Sequence, residues 1–275
     1  MTYRLLECGV AISRKFRFMQ KILLPLLLIL SCASANCLAQ VPAANSMPDG
    51  SKDMYVGAVL DVMPTYEGSG QLDERLRPGF QVEWSNGVFV SASQLGMHLS
   101  QTPGIEYGPL MTLSLSRPEY LSPNTAVLGD WMTSIGGFFK YDLGENLQLS
   151  TDLMYNVGQF RGGAFGNLDL RKYTDIAAHH SLSLWTGLTW VNRDYAEAQF
   201  GVTGQQSAVS GFPIYSPGAG VSDVHAGINW HWSLSSSWML NSGLYASRLT
   251  GSVANSPTIS GPFNVTVFSG FAYRF

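Results

Sequence analysis

From Lys52 to the C-terminus, apolar and small polar residues alternate with a period of two, broken at short intervals by turn-forming clusters. A strand sends successive side chains to opposite faces, so this alternation reads as strands with one apolar and one polar surface. Residues 223–232 show it most plainly. Val224, Ala226, Ile228, Trp230 and Trp232 fall on one face, and Asp223, His225, Gly227, Asn229 and His231 on the other. Residues 233–237 are turn-like, after which Trp238, Leu240, Ser242 and Leu244 alternate with Met239, Asn241, Gly243 and Tyr245. Three tryptophans thus cluster beside one turn, where an interfacial aromatic belt would place them.

The same unit recurs upstream. Trp131, Thr133, Ile135, Gly137, Phe139 and Tyr141 share a face, the turn 142–146 follows, and Leu147, Leu149, Thr151, Leu153 and Tyr155 continue that face. Phe80, Val82 and Trp84 lead into Ser85-Asn86-Gly87, and Asn-Gly is a strong hairpin signal. Fainter strands are expected at 54–62, 107–116, 162–173, 180–190 and 195–203. With 88–95 and the last strand the count is about twelve, within a range of ten to fourteen. In the last strand Val265, Val267, Ser269, Phe271, Tyr273 and Phe275 lie on one face. The expected fold is all-β, an antiparallel transmembrane β-barrel with a narrow lumen partly filled by side chains.

Composition sharpens this picture. Hydrophobic residues make up 45% and charged residues only 13%, about half the usual charged share of a soluble domain. Mean hydropathy is nevertheless only +0.07, and no apolar run after the first forty residues approaches the ~20 residues of a spanning helix. Apolar residues spread by alternation satisfy both facts. The net charge of −3 and the lack of a basic stripe give no reason to expect nucleic acid. Cys8, Cys32 and Cys37 all lie early, so no disulfide framework or thiolate metal site is expected in the mature chain.

The first forty residues read as an export address. Arg14, Lys15, Arg17 and Lys21 precede a short apolar core from Ile22 to Leu30, and small residues follow. Cleavage is expected after Ala35 or Ala39, with Met19 as an alternative start. Ile29-Leu30-Ser31-Cys32 also has the outline of a loose lipobox, which would make Cys32 a lipidated N-terminus. The expected organisation is a signal peptide at 1–39, a flexible periplasmic lead-in at 40–52 and an outer-membrane barrel at 53–275.

Four stretches together resemble the MltA-interacting protein (MipA)/OmpV family of outer-membrane proteins. They are Tyr55-Val56-Gly57 with Met63-Pro64-Thr65-Tyr66-Glu67-Gly68-Ser69; Gly136-Gly137-Phe138 with Tyr141-Asp142-Leu143-Gly144; Phe200-Gly201-Val202-Thr203 with Ser210-Gly211-Phe212-Pro213-Ile214-Tyr215, Pro217, Ala219-Gly220 and Asp223; and Arg248-Leu249-Thr250-Gly251-Ser252 with Asn255-Ser256-Pro257 before Tyr273-Arg274-Phe275. Ser252 and Asn255 stand where the family often has aspartates. The resemblance implies a non-enzymatic scaffold holding a lytic transglycosylase and a murein synthase together in a Gram-negative cell envelope, or a surface antigen. A narrow channel or uptake barrel is the alternative and an outer-membrane hydrolase the third reading. The C-terminal aromatic pattern at Phe271, Tyr273 and Phe275 resembles the signal read by the barrel assembly machinery during insertion into outer-membrane lipid, where an edge strand pairs with the insertase.

Candidate chemistry is sparse. His179 and His180 begin a strand, while His225 and His231 lie on one face but roughly 20 Å apart, too far to share a metal or a proton. No Gly-x-Ser-x-Gly elbow exists, so no catalytic residue, cofactor or metal is expected. Asp73, Glu74, Arg75 and Arg77 are expected in a solvated loop between the first two strands, and Arg117 and Arg161 at headgroup level. The segment 205–222 is the chosen contact loop. There Phe212, Ile214 and Tyr215 are held stiffly by Pro213 and Pro217, with folding back over the barrel mouth as the equal alternative.

Overall fold

The computed structural model describes residues 47–48, 50–115, 131–157 and 163–275. The expected signal peptide, most of the lead-in, Arg117 and Arg161 lie outside the described residues. Twelve antiparallel strands close into a barrel: β1 (Lys52–Pro64), β2 (Leu72–Trp84), β3 (Val88–Ser91), β4 (Gln94–Met97), β5 (Ile105–Leu115), β6 (Trp131–Gly144), β7 (Leu147–Val157), β8 (Ala164–Ala177), β9 (His180–Val191), β10 (Gly220–Ser233), β11 (Trp238–Leu249) and β12 (Phe263–Arg274). Each strand pairs with its sequence neighbours, and β12 returns to β1 with Tyr55 opposite Arg274 and Val62 opposite Val267. At that seam Arg274 clamps Asp53 with two hydrogen bonds of 2.8 Å, and the Phe275 N–H donates to the Met54 carbonyl at 3.0 Å.

The number of strands matches the sequence expectation, but the membership does not. Residues 195–203 are mostly helical, and 88–95 is split between two short strands, β3 and β4. Ser91 lies opposite Gln81, so above that point β2 pairs only with β1 among the described residues. Pro78, which has no N–H to give a second neighbour, falls in this singly paired stretch. The charged run expected in a loop is instead the upper part of β2. Alternation places Asp73, Arg75 and Arg77 inward, where Arg75 pairs with Asp73 at 2.8 Å and Arg77 with the fully buried Asp61. A period-two run of charges is an inward face when water, not lipid, fills the interior.

Faces follow the alternation. Val224, Ile228 and Leu244 are exposed on the outside, while Asp223, His225, Asn241 and Asn264 are buried within. The start of β1, the end of β12 and the connections at residues 85–87, 98–104, 145–146, 178–179 and 234–237 sit at one end, and those at 65–71, 192–219 and 250–262 sit at the other. Outer-membrane barrels keep short turns in the periplasm, which orients the chain. An aromatic girdle marks that end. His180 stacks on Trp230 and Trp232, and Trp238 lies 4.7 Å from Phe271 and 4.8 Å from Tyr273. Part of the lumen is filled by Trp185, Phe268 and Val59. Gly227 is required there, because a Cβ at that position would stand 2.2 Å from the Trp185 ring.

Candidate functional site

The outer end of the barrel is covered by the connection between β9 and β10, which carries two helices. Asn192 caps α1 (Arg193–Phe200), its side-chain oxygen accepting from the Tyr195 N–H at 2.9 Å and from the Ala164 N–H of β8 at 2.9 Å. Thr203 caps α2 (Gly204–Ser210) in a reciprocal box with Gln206, and Gly211 ends it at φ 78°. The inner side of α1 packs Ala196 and Phe200 against Val191, Leu249 and Val253, all five buried, with Phe165, Tyr195, Ala254 and Ile259 around them. This is a small hydrophobic core of its own, sitting where the strands end. On the far side, the Gln199 amide reaches the Met132 sulfur of β6 at 3.2 Å, so α1 crosses the mouth.

Neighbouring loops lock the cover in place. Ser256 donates to the Phe200 carbonyl at 2.6 Å, and Tyr215 to the Ser252 carbonyl at 2.7 Å. Tyr66 donates to the Thr258 carbonyl at 3.1 Å, and the Gly68 N–H to Asn264 at 2.8 Å. The candidate contact loop is thereby divided. Pro217 is buried and Phe212 and Tyr215 are half-buried, while Pro213 and Ile214 face outward beside Val209 of α2. The helical segment escaped the strand pattern, although Thr203-x-x-Gln206 is a capping-box signature visible in the sequence.

Below the cover runs a ladder of polar groups. His225 is held between two carboxylates, its Nδ1 2.8 Å from Asp223 and its Nε2 2.8 Å from Asp169. The Asn167 amide donates to both oxygens of Asp152 at 3.1 and 3.0 Å and accepts from Thr189 at 2.9 Å. His231, separate from His225 as its spacing requires, lies 2.9 Å from Asn241 and 3.1 Å from Ser233. The nearby serine, Ser222, donates to Asp223 at 3.1 Å rather than to the histidine. A hydrolytic relay needs the hydroxyl on the base, so this order suits structure better than nucleophilic attack. In the β1–β2 loop, the Glu67 carboxyl is pushed up to about 7 by enclosure within the mouth and by the Asp223 charge, with His225 opposing. Glu67 keeps an exposed face, so the loops around the mouth strip only part of its water. Burial and the same acids push the Tyr195 phenol of α1 well up.

The periplasmic half of the lumen is a basin of about 1420 Å³ that reaches the short turns at residues 144–146, 177–180 and 233–236. Its walls carry acids from several strands, among them Glu83, Glu106, Asp152 and Asp169, with Lys140, Arg171 and Arg274 as cations. Sequence reading missed this basin, because its lining comes from strands far apart in the chain. The molecule therefore has a covered outer mouth and a roomy inner one.

Residues 56–275 match the family model described as MltA-interacting protein MipA. The chain belongs to this family. No curated protein matches it. Among solved structures, this MipA-family barrel is similar to an outer-membrane channel from Pseudomonas putida F1, at 13% identity over 86% of this chain and 100% of that one, TM-score 0.45. It is also similar to a structure titled a bacterial polysaccharide outer membrane secretin (11% identity, 83% of this chain and 99% of that one, TM-score 0.44) and to the NanC porin (10%, 81% and 99%, TM-score 0.40). These are distant likenesses. With its closed barrel and lipid-facing exterior, this MipA-family member is an outer-membrane protein.

Proposed function

We propose that this MipA-family barrel is a non-enzymatic scaffold that holds a lytic transglycosylase and a murein synthase at the inner face of the outer membrane. The observation that carries the reading is the asymmetry of the lumen. The outer mouth is covered by an interlocked hydrophobic cap, whereas the end facing the periplasm, where murein lies, is open and edged by short turns and both barrel termini. Export by a signal peptide cleaved after Ala35 or Ala39 and insertion through Phe271, Tyr273 and Phe275 complete the proposal. Docking of the murein enzymes belongs to the periplasmic rim, and the outward Pro213 and Ile214 of the cap are then free to act as a surface epitope.

Affinity capture from solubilised envelopes tests it. Enrichment of a murein hydrolase or synthase is expected, and enrichment of neither would overturn the scaffold. A narrow uptake barrel is the second reading, favoured by the size of the basin. Stable discrete conductance in planar bilayers would bring that reading to the front, whereas the capped mouth leads us to expect a closed baseline.

A further inference from the structure

One wall of the periplasmic basin holds a carboxylate, almost wholly enclosed by protein, that receives no hydrogen bond among the described residues. Asp53 and Glu83 stand opposite each other across β1 and β2, and each is about as deeply buried as the other, at 5% and 3% exposure. Their partners differ. Asp53 receives the two bonds from Arg274 and one from the Tyr55 hydroxyl at 3.1 Å. Glu83 receives no hydrogen bond among the described residues; its nearest basic atom is His98 Nε2, at 3.7 Å. That imidazole is shared with Glu106, also at 3.7 Å, and lies just past the end of β4, where enclosure and the Lys140 ammonium push it toward its neutral form. Next along the same face of β2, Gln81 is 4% exposed and lines the basin, and its side-chain oxygen has no partner.

The same wall shows what kind of group fits. Lys140 places its ammonium 3.0 Å from Glu106 and 5.6 Å from the centre of the Phe138 ring, combining a carboxylate with an aromatic face. Glu83 has similar surroundings, but the Lys140 ammonium is hydrogen-bonded to Glu106 and not to it. Phe89 is its cross-strand neighbour, 6.0 Å from Phe138, and His98 lies 4.9 Å from Phe89. An enclosed carboxylate that accepts no N–H or O–H is costly, and a cation arriving with its own N–H donors relieves that cost.

We propose that Glu83, with Gln81 and the Phe89 ring, forms a binding site for a primary ammonium group carried by a small organic amine entering from the periplasm. The site is independent of the scaffold reading and would stand if that reading failed.

The test is a calorimetric titration of the full barrel in detergent with n-butylammonium chloride, at constant ionic strength. Saturable one-to-one binding is expected, weakened at least tenfold by Glu83→Gln and unchanged by Glu145→Gln at the rim. Tetramethylammonium chloride, which has the charge but no N–H, is expected to bind at least tenfold more weakly, and sodium chloride to give no saturable heat. Absence of saturable binding, equal binding by the Glu83→Gln and parent proteins, or equal binding of tetramethylammonium overturns the site. Should Glu83→Gln fail to give a heat-modifiable barrel, Glu83→Asp retains the charge but withdraws it by one methylene. It is expected to weaken binding several-fold, and unchanged affinity there would count equally against the proposal.

Discussion

His225 holds together three strands of the wall at once. It sits on β10, as does Asp223, and reaches Asp169 on β8 across the intervening β9, with Tyr245 of β11 against its ring at 5.6 Å. Replacing it by Ala would leave two carboxylates facing one gap, Asp169 without a donor and Asp223 with the Ser222 hydroxyl alone. A buried acid left unpartnered costs about 1–3 kcal/mol, so His225→Ala is expected to lower stability by about 2–3 kcal/mol in urea unfolding from lipid vesicles. His225→Gln, which can still donate to one acid, is expected to recover part of that loss. Glu67 makes a pH-dependent contribution of the opposite kind to an ordinary acid. Its proton leaves near 7 in the folded protein and near 4.5 in the unfolded chain, so the folded state binds more protons between those values. The stabilisation is complete below about 4.5 and is lost as pH rises through about 7. Amide exchange in the cap is therefore expected to accelerate between about pH 5 and about pH 7 by more than base catalysis accounts for. Glu67→Gln should abolish the excess.

At the scale of elements, alternation found the strands with a full apolar face and misread those without one. β10, β11 and β12 were legible because each has a full apolar face, with Val224, Leu244 and Phe271 exposed to the outside. Residues 195–203 also seem to alternate on paper, yet Ala196 and Phe200 are four apart and pack together against Val253, which is the helical repeat. Residues 88–95 carry enough apolar positions for one long strand, but Ser91, Ala92 and Ser93 give way to a reversal that divides them. The two misreadings cancelled in the strand count. The charged stretch of β2 escaped notice because its inward residues have the composition of a loop, and the basin at Glu83 was not legible because register alone brings Asp53, Glu83 and Phe89 side by side. The cap makes its own prediction. Phe200→Ala empties the centre of its small core, a change worth about 3–5 kcal/mol in a packed interior. Only the cap depends on that core, so proteolysis within residues 193–219 is expected to rise while the barrel's heat-modifiable mobility stays as it was.

For the whole molecule, the decisive contact is the one between its first and last strands. Arg274 and Asp53 lie 221 positions apart in sequence and close the ring. Arg274→Ala leaves Asp53, 5% exposed, with only the Tyr55 hydroxyl, and is expected to cost about 3 kcal/mol, read as a lower urea midpoint with little change in slope. The seam also sets an order in time. Every other pairing in the barrel joins consecutive strands and can form as soon as a hairpin is available, whereas β1 has to wait for β12. Until then the exposed edges of β1 and of the growing sheet are open to other chains, and a protein with this topology cannot close before β12 has been made. Synthesis of β12 and closure of the ring must therefore be successive events, and the residues that seal the seam, Arg274 and Phe275, are made long after the Asp53 and Met54 they join.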